Sequence, residues 1–247
     1  AGLSASDAGL VGETLAWVTA RYEPVVIAGQ QPLWAHCLAS AQILAQLQTD
    51  AATRMAMLLL ALQAHQGKGL DPVTQQFGTE VGKLVQGARA LFRLGEVARD
   101  AGLGNHDDAA AQKEALRKML LAMAADLRIV LIRLASRLQT LRWHAQTKNP
   151  CAASFAQETL DLYAPLANRL GIWQIKWEME DLAFRFQHPE QYKHIARRLE
   201  EKRAERETFI EQTLTTLRDM LAQAGIEASV SGRPKHIYSI WNKMQRK

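Results

Sequence analysis

Met55-Ala56-Met57-Leu58-Leu59-Leu60-Ala61-Leu62 is the longest purely apolar run in the chain, eight residues in all. A membrane span needs roughly 20 apolar residues, so this run crosses no bilayer. Being apolar all round, it predicts a helix buried in the middle of an α-helical domain. Upstream, Trp34, Cys37, Leu38, Ala41, Leu44 and Ala45 recur at helical spacing behind Pro32, a start signal. Downstream, Leu116, Met119, Leu120 and Met123 make one amphipathic face, and Leu127, Val130, Leu131, Leu134, Leu138 and Leu141 another, with Asp126 between them as an N-cap. Residues 71–80 and 99–110 hold Gly, Asp, Asn and Pro and read as connections.

The chain is 48% hydrophobic and 22% charged over 247 residues, which excludes a largely disordered protein. No secretory signal opens it, and its first residue is not Met, so the N-terminus reads as trimmed. Two cysteines, Cys37 and Cys151, make no disulfide framework and read as buried thiols; the expected compartment is the cytoplasm. The net charge of +5 is local. Residues 231–247 hold Arg233, Lys235, Lys243, Arg246 and Lys247 and no acid, so residues 1–230 sum to zero. A neutral body argues against general nucleic-acid binding. The basic end fits either a phosphate-bearing ligand or partner, or a solvated tail, and charge leaves both open.

Residues 191–223 are densely charged with few large apolar side chains and predict a long exposed helix, stopped by Gly225. Ile226-Glu227-Ala228-Ser229-Val230 alternates at period 2 and predicts a strand. A helix with Pro234 at N1 follows, placing Lys235, Ser239 and Lys243 in one polar row. Ile237, Ile240, Trp241 and Met244 lie opposite, as if to pack on a sheet. Strand, glycine turn and basic helix start make a phosphate cradle; an ordinary amphipathic helix with a wet basic face has the same periodicity.

Gly232-Arg233-Pro234-Lys235-His236-Ile237-Tyr238-Ser239-Ile240-Trp241-Asn242-Lys243-Met244 resembles the opening of the synthetase domain in RelA/SpoT-type enzymes, which make or break (p)ppGpp. Tyr163-Ala164-Pro165-Leu166-Ala167-Asn168-Arg169-Leu170-Gly171-Ile172-Trp173-Gln174-Ile175-Lys176-Trp177-Glu178 is similar to the block joining that family's hydrolase and synthetase halves. The resemblance runs from about His36 to the last residue. It implies an all-α, HD-like helical bundle over residues 1–162, a joining block and long helical linker over 163–224, and over 225–247 the first strand and helix of an α/β synthetase domain that continues beyond the chain. It also implies that Arg233, Lys235 and Lys243 contact donor ATP, with His236 and Ser239 lining the same site. In the family Mg²⁺ serves the transfer of pyrophosphate from ATP to GDP or GTP; the acidic metal-binding residue, catalytic Glu and acceptor-binding Tyr lie beyond this stretch, so alone it should not turn over.

The family's hydrolase holds Mn²⁺ with a first His, a His-Asp pair and a distant Asp, while a Glu-Asp pair activates water; such an ion needs imidazole and carboxylate together. The resemblance places the first His at His36. The His-Asp pair falls on Leu60 and Ala61, the Glu-Asp pair on Ala64 and His65, and the distant Asp on Ser136. The nucleotide-contacting His-Asn falls on Gln139 and Thr140. One ligand of four remains, so Mn²⁺ should not bind and the hydrolase should be inactive.

His106, His144, His188 and His194 read as solvated, Met55, Met57, Met119 and Met123 as core, and Trp173 and Trp177 as packing residues. The expectation is a hydrolase-like regulatory domain of a RelA-type GTP diphosphokinase, with its own synthetase domain as partner and adenine and guanine nucleotides as the parent's ligands. Ribosome contact would run through regions absent here, and no membrane is involved. Two alternatives stand beside it. One is a residual Mn-dependent (p)ppGpp pyrophosphohydrolase rebuilt on His36, His65 and Asp50, although Asp50 also suits a helix cap. The other is an interaction module that binds nucleotide in the old pocket without cleaving it.

Overall fold

A computed structural model describes residues 2–62, 71–101, 126–201, 203–232 and 235–245. The fold is all-α, and the chain divides into two compact units, Ala1–Met179 and Glu180–Lys247.

In the first unit, α1 (Ala5–Thr19) starts at Ser4, whose hydroxyl accepts the Asp7 N–H at 3.1 Å. A two-residue-per-strand antiparallel hairpin follows, β1 (Val26–Ile27) and β2 (Gln31–Pro32), which the alternation pattern was too short to signal. Helix α2 (Leu33–Gln46) follows Pro32 directly, and α3 (Ala51–Leu59) is capped by Asp50, whose Oδ1 accepts the Thr53 N–H at 2.8 Å. α3 covers most of the apolar run and is buried on all sides, with Met55, Ala56, Met57, Leu58 and Leu59 at most 4% exposed. Helices α1, α2 and α4 (Pro72–Ala101) pack on it.

Residues 72–80 are therefore helical rather than a connection. Asp71 accepts the Val73 N–H on its side chain at 3.2 Å and the Gln75 N–H on its carbonyl, so Asp71-Pro72 is a capped helix start, not a break. The glycine signal survives as one non-helical residue, Gly78, at φ 86°. Residues 99–101 continue α4; residues 102–110, His106 and the face formed by Leu116, Met119, Leu120 and Met123 lie outside the described residues.

Helix α5 (Leu127–Thr147) begins at Asp126, which accepts the Arg128 N–H at 2.9 Å. Val130, Leu134, Leu138 and Leu141 are buried as the periodicity predicts, whereas Leu127, in the first turn, is exposed. Each fully buried Leu contributes roughly 1.5–3 kcal/mol. Arg128 bonds Asp50, Glu80 and Asp126 together, tying the starts of α3 and α5 to α4. Helix α4 approaches α5 so closely at Gly87 that a Cβ there would stand 2.3 Å from Ile129 Cδ1. Helices α6 (Ala153–Glu158) and α7 (Ala164–Arg169) are joined by a π-helical turn, Thr159–Tyr163.

Helix α8 (Trp173–Gln187) contains the division between the units. In the second unit, α9 (Pro189–Glu201) and α10 (Arg203–Gln223) are largely exposed. α10 ends in a Schellman turn: Gly225 takes φ 69°, its N–H reaches the Ala222 carbonyl, and the Ile226 N–H reaches Leu221. Residues 226–230 form no strand, contrary to the alternation, because no described segment offers a ladder to pair with. The segment returns along α10, with Arg218 Nη2 donating to the Val230 carbonyl at 3.2 Å. Helix α11 (Ile237–Gln245) starts three residues later than an N1 proline at position 234 requires. Its aromatic face packs on helices rather than a sheet: Tyr238 and Trp241 both meet Phe184 of α8. Among the described residues, no helix is long and apolar enough to cross a membrane.

Candidate functional site

His36 sits in the first turn of α2, 4% exposed, and faces Ser136 on α5. Its Nδ1 lies 3.0 Å from Gln31 Oε1, an acceptor only, so Nδ1 carries the proton. That leaves Nε2 as acceptor, and the Ser136 hydroxyl donates to it at 2.8 Å. Burial, and secondarily the Arg133 guanidinium, push the His36 pKa down to about 4, so the ring is neutral at pH 7. Arg133 is itself held by Tyr163, whose Oη accepts its Nη2 at 2.8 Å.

The structure thus brings His36 and Ser136 into direct contact although 100 residues separate them. Leu60, half-buried, closes α3, and Ala61, 3% exposed, follows; neither offers a donor or acceptor side chain. Gln139 is buried one turn beyond Ser136, and the Thr140 hydroxyl donates back to the Ser136 carbonyl at 3.1 Å. Ala64 and His65 lie outside the described residues. Asp50, the carboxylate considered for a rebuilt site, is taken up by Thr53 and by Arg128 at 2.9 Å. Burial opposes its ionisation, but those hydrogen bonds and the Arg128 charge outweigh burial and hold its pKa below the usual range.

Among the described residues, the donor set around His36 does not fit a divalent cation. One imidazole has both nitrogens engaged, the facing group is a neutral hydroxyl, and the charge that acts on the ring is a guanidinium. Among the described residues, no three His, Cys, Asp or Glu side chains are grouped to hold a metal.

Beside this pocket, α5 grips the elements that follow it. Arg137, 1% exposed, donates to Thr159 Oγ1 at 2.9 Å, to Glu158 at 2.8 Å and to the Phe155 carbonyl, and its guanidinium lies against the rings of Phe155 and Tyr163. Arg142 makes a two-pronged bond to Glu178, at 2.6 and 2.7 Å. Trp173 and Trp177 stack on each other with centroids 6.0 Å apart, Trp173 being 49% exposed.

His144 corrects the solvated reading. It is 7% exposed and lies against Gly29, where a Cβ would come within 2.8 Å of its ring. Trp143 and Asn149 donate to the Gly29 carbonyl at 2.7 and 2.9 Å, fixing the hairpin that carries Gln31. His188 and His194 are both exposed, the His188 ring lying beside those of Phe184 and Trp241. Cys37 is buried and Cys151 half-buried, both free thiols.

In the second unit, Lys235 is exposed and precedes α11, so it does not share a helical row with Ser239 and Lys243. Ser239 is half-buried and Lys243 exposed on α11. His236 Nδ1 lies 3.2 Å from Asp181 Oδ2 of α8. Arg233, Pro234, Arg246 and Lys247 lie outside the described residues. Residue-level reading missed Gln31, Arg133 and Asp181, whose roles come from contacts rather than motifs.

The family model for the HD domain matches residues 15–173 of this helical bundle. The chain is an HD-domain protein. It is 42% identical over 206 residues to the GTP pyrophosphokinase of Photobacterium angustum, covering 83% of this chain and 27% of that protein. The Escherichia coli K12 GTP pyrophosphokinase is 38% identical over 233 residues, 87% of this chain and 31% of its own length. That of Myxococcus xanthus is 39% identical over 215 residues, 87% of this chain and 28% of its own. The chain belongs to the RelA/SpoT family, and it spans less than a third of the length of these relatives.

Proposed function

We propose that the chain is the non-catalytic, hydrolase-like regulatory portion of a GTP pyrophosphokinase that makes (p)ppGpp from ATP and GTP or GDP. The observation that carries this reading is the His36–Ser136 hydrogen bond: the nitrogen lone pair that a metal would need is occupied by a hydroxyl. An HD hydrolase generates its nucleophile on the metal, and with Leu60, Ala61 and Ser136 in place of ligands, Mn²⁺ is not bound. The commitment of Asp50 to Arg128 argues against a rebuilt hydrolase. In the parent, Arg233, Lys235, His236, Ser239 and Lys243 would contact ATP, Mg²⁺ would act in the synthetase domain, and that domain would be the regulatory portion's partner. Ribosome contact belongs to regions beyond this chain, and the compartment is the cytoplasm.

The test is ppGpp hydrolysis by the purified chain, with and without Mn²⁺, read as pyrophosphate release. No release at any metal level is expected. Metal-dependent release would sink the reading.

A further inference from the structure

We propose that Asp181 is a positioning residue for the nucleotide-binding segment: its carboxylate caps α11 and orients His236. The role rests on the reading above that this segment binds ATP. Helix α11 is nine residues long with none buried, well under the roughly 12–15 residues that hold a helix together alone. It is also poorly started by its own sequence. The residue before Ile237 is His236, which offers a carbonyl to the Ile240 N–H but is outside the Ser, Thr, Asp and Asn set that caps the first free amides.

Asp181 supplies that cap from α8, 57 residues away. Its Oδ1 accepts the Tyr238 N–H at 2.9 Å, and its charge lies at the positive end of the helix. Its Oδ2 takes the His236 Nδ1 at 3.2 Å, so the ring is held with that nitrogen protonated and turned toward the carboxylate. One turn along α8, Phe184 is fully buried and meets both Tyr238 and Trp241, at ring centroid distances of 5.7 and 5.3 Å. Cap and aromatic seat together fix both the start and the roll of α11. The roll decides where Ser239 and Lys243 point, and the cap decides where the chain leaves the helix toward Lys235.

The experiment uses the whole 247-residue chain with Asp181→Ala, Asp181→Asn and Lys243→Ala. Three quantities are read: amide hydrogen exchange at Tyr238 and Ser239, the ¹⁵N tautomer signature of the His236 ring, and affinity for MgATP. Asp181→Ala is expected to speed Tyr238 exchange about tenfold, to lose the Nδ1–H signature and to weaken MgATP. Asp181→Asn keeps an acceptor oxygen and should hold exchange within about twofold of the parent. Unchanged exchange and tautomer in Asp181→Ala would overturn the proposal. Faster exchange with unaltered MgATP affinity, while Lys243→Ala does weaken MgATP, would reduce Asp181 to a structural cap and overturn the positioning role. If Lys243→Ala leaves MgATP binding unchanged, the ATP reading fails and the positioning role fails with it, while unaltered exchange and tautomer in Asp181→Ala would show that the cap itself is absent.

Discussion

His36 couples the fold to pH through one buried ring. Unfolded, it titrates near 6.5; folded, burial and then Arg133 lower it to about 4. Between those values the unfolded chain binds a proton that the folded chain does not, so stability is full above about pH 6.5 and declines as pH falls toward 4. The full difference is on the order of 3 kcal/mol. Urea denaturation at pH 7.5 and 4.5 measures it, and His36→Gln should flatten this part of the slope; parallel slopes in the two proteins would refute the assignment. The pairing of His36 with Ser136 was legible only through family resemblance, since nothing in either residue's local spacing points 100 positions along the chain. Gln31 was not legible at all. It lies in a hairpin whose strands have two residues each, too few for an alternation to be seen.

At the scale of elements, Arg137 holds α5 to α6, the π-turn and α7. Burial lowers its pKa, with Tyr163 and Glu158 acting in the opposite direction, and it donates to Glu158, Thr159 and the Phe155 carbonyl. Arg137→Met strands those acceptors and should cost about 3–5 kcal/mol, as breaking a buried pair does. Thermal unfolding of the variant tests this, and a melting temperature within a degree or two of the parent would refute it. The long helices were legible because their apolar period and their caps, Asp50 and Asp126, agreed. Residues 72–80 were misjudged because proline and glycine punctuate a chain in two senses: Pro72 opens a helix, while Gly78 interrupts one. Residues 226–230 were misjudged because alternation reports a side-chain pattern, whereas a strand also needs a neighbour.

Across the whole molecule the core is unequally shared. Beyond Met179, the buried apolar side chains among the described residues are Ala183, Phe184 and Ile195, whereas α2, α3 and α5 are lined with them. Local stability follows buried apolar contact. Amide exchange should therefore show α3 and α5 protected to near the global unfolding limit, and α9 and α10 exchanging orders of magnitude faster. Equal protection in both units would contradict that distribution. The dense charge of residues 191–223 made this contrast readable in advance. The path of residues 226–232 along α10 was not, because it depends on single contacts such as Arg218 to the Val230 carbonyl.

The hydroxyl that Ser136 presents to His36 bears on the protein's history as well as its chemistry. On the reading proposed above, a metal centre here would need carboxylates at the buried positions of Ala61 and Ser136 and an imidazole at the half-buried Leu60. A carboxylate at the buried position 61, made alone, would incur its desolvation cost before an ion could compensate it. On the proposed reading, each single step back leads downhill in stability with no catalytic return, and such a loss would work as a ratchet. Under that reading, selection on this domain would be left to act on what it touches rather than on what it cleaves.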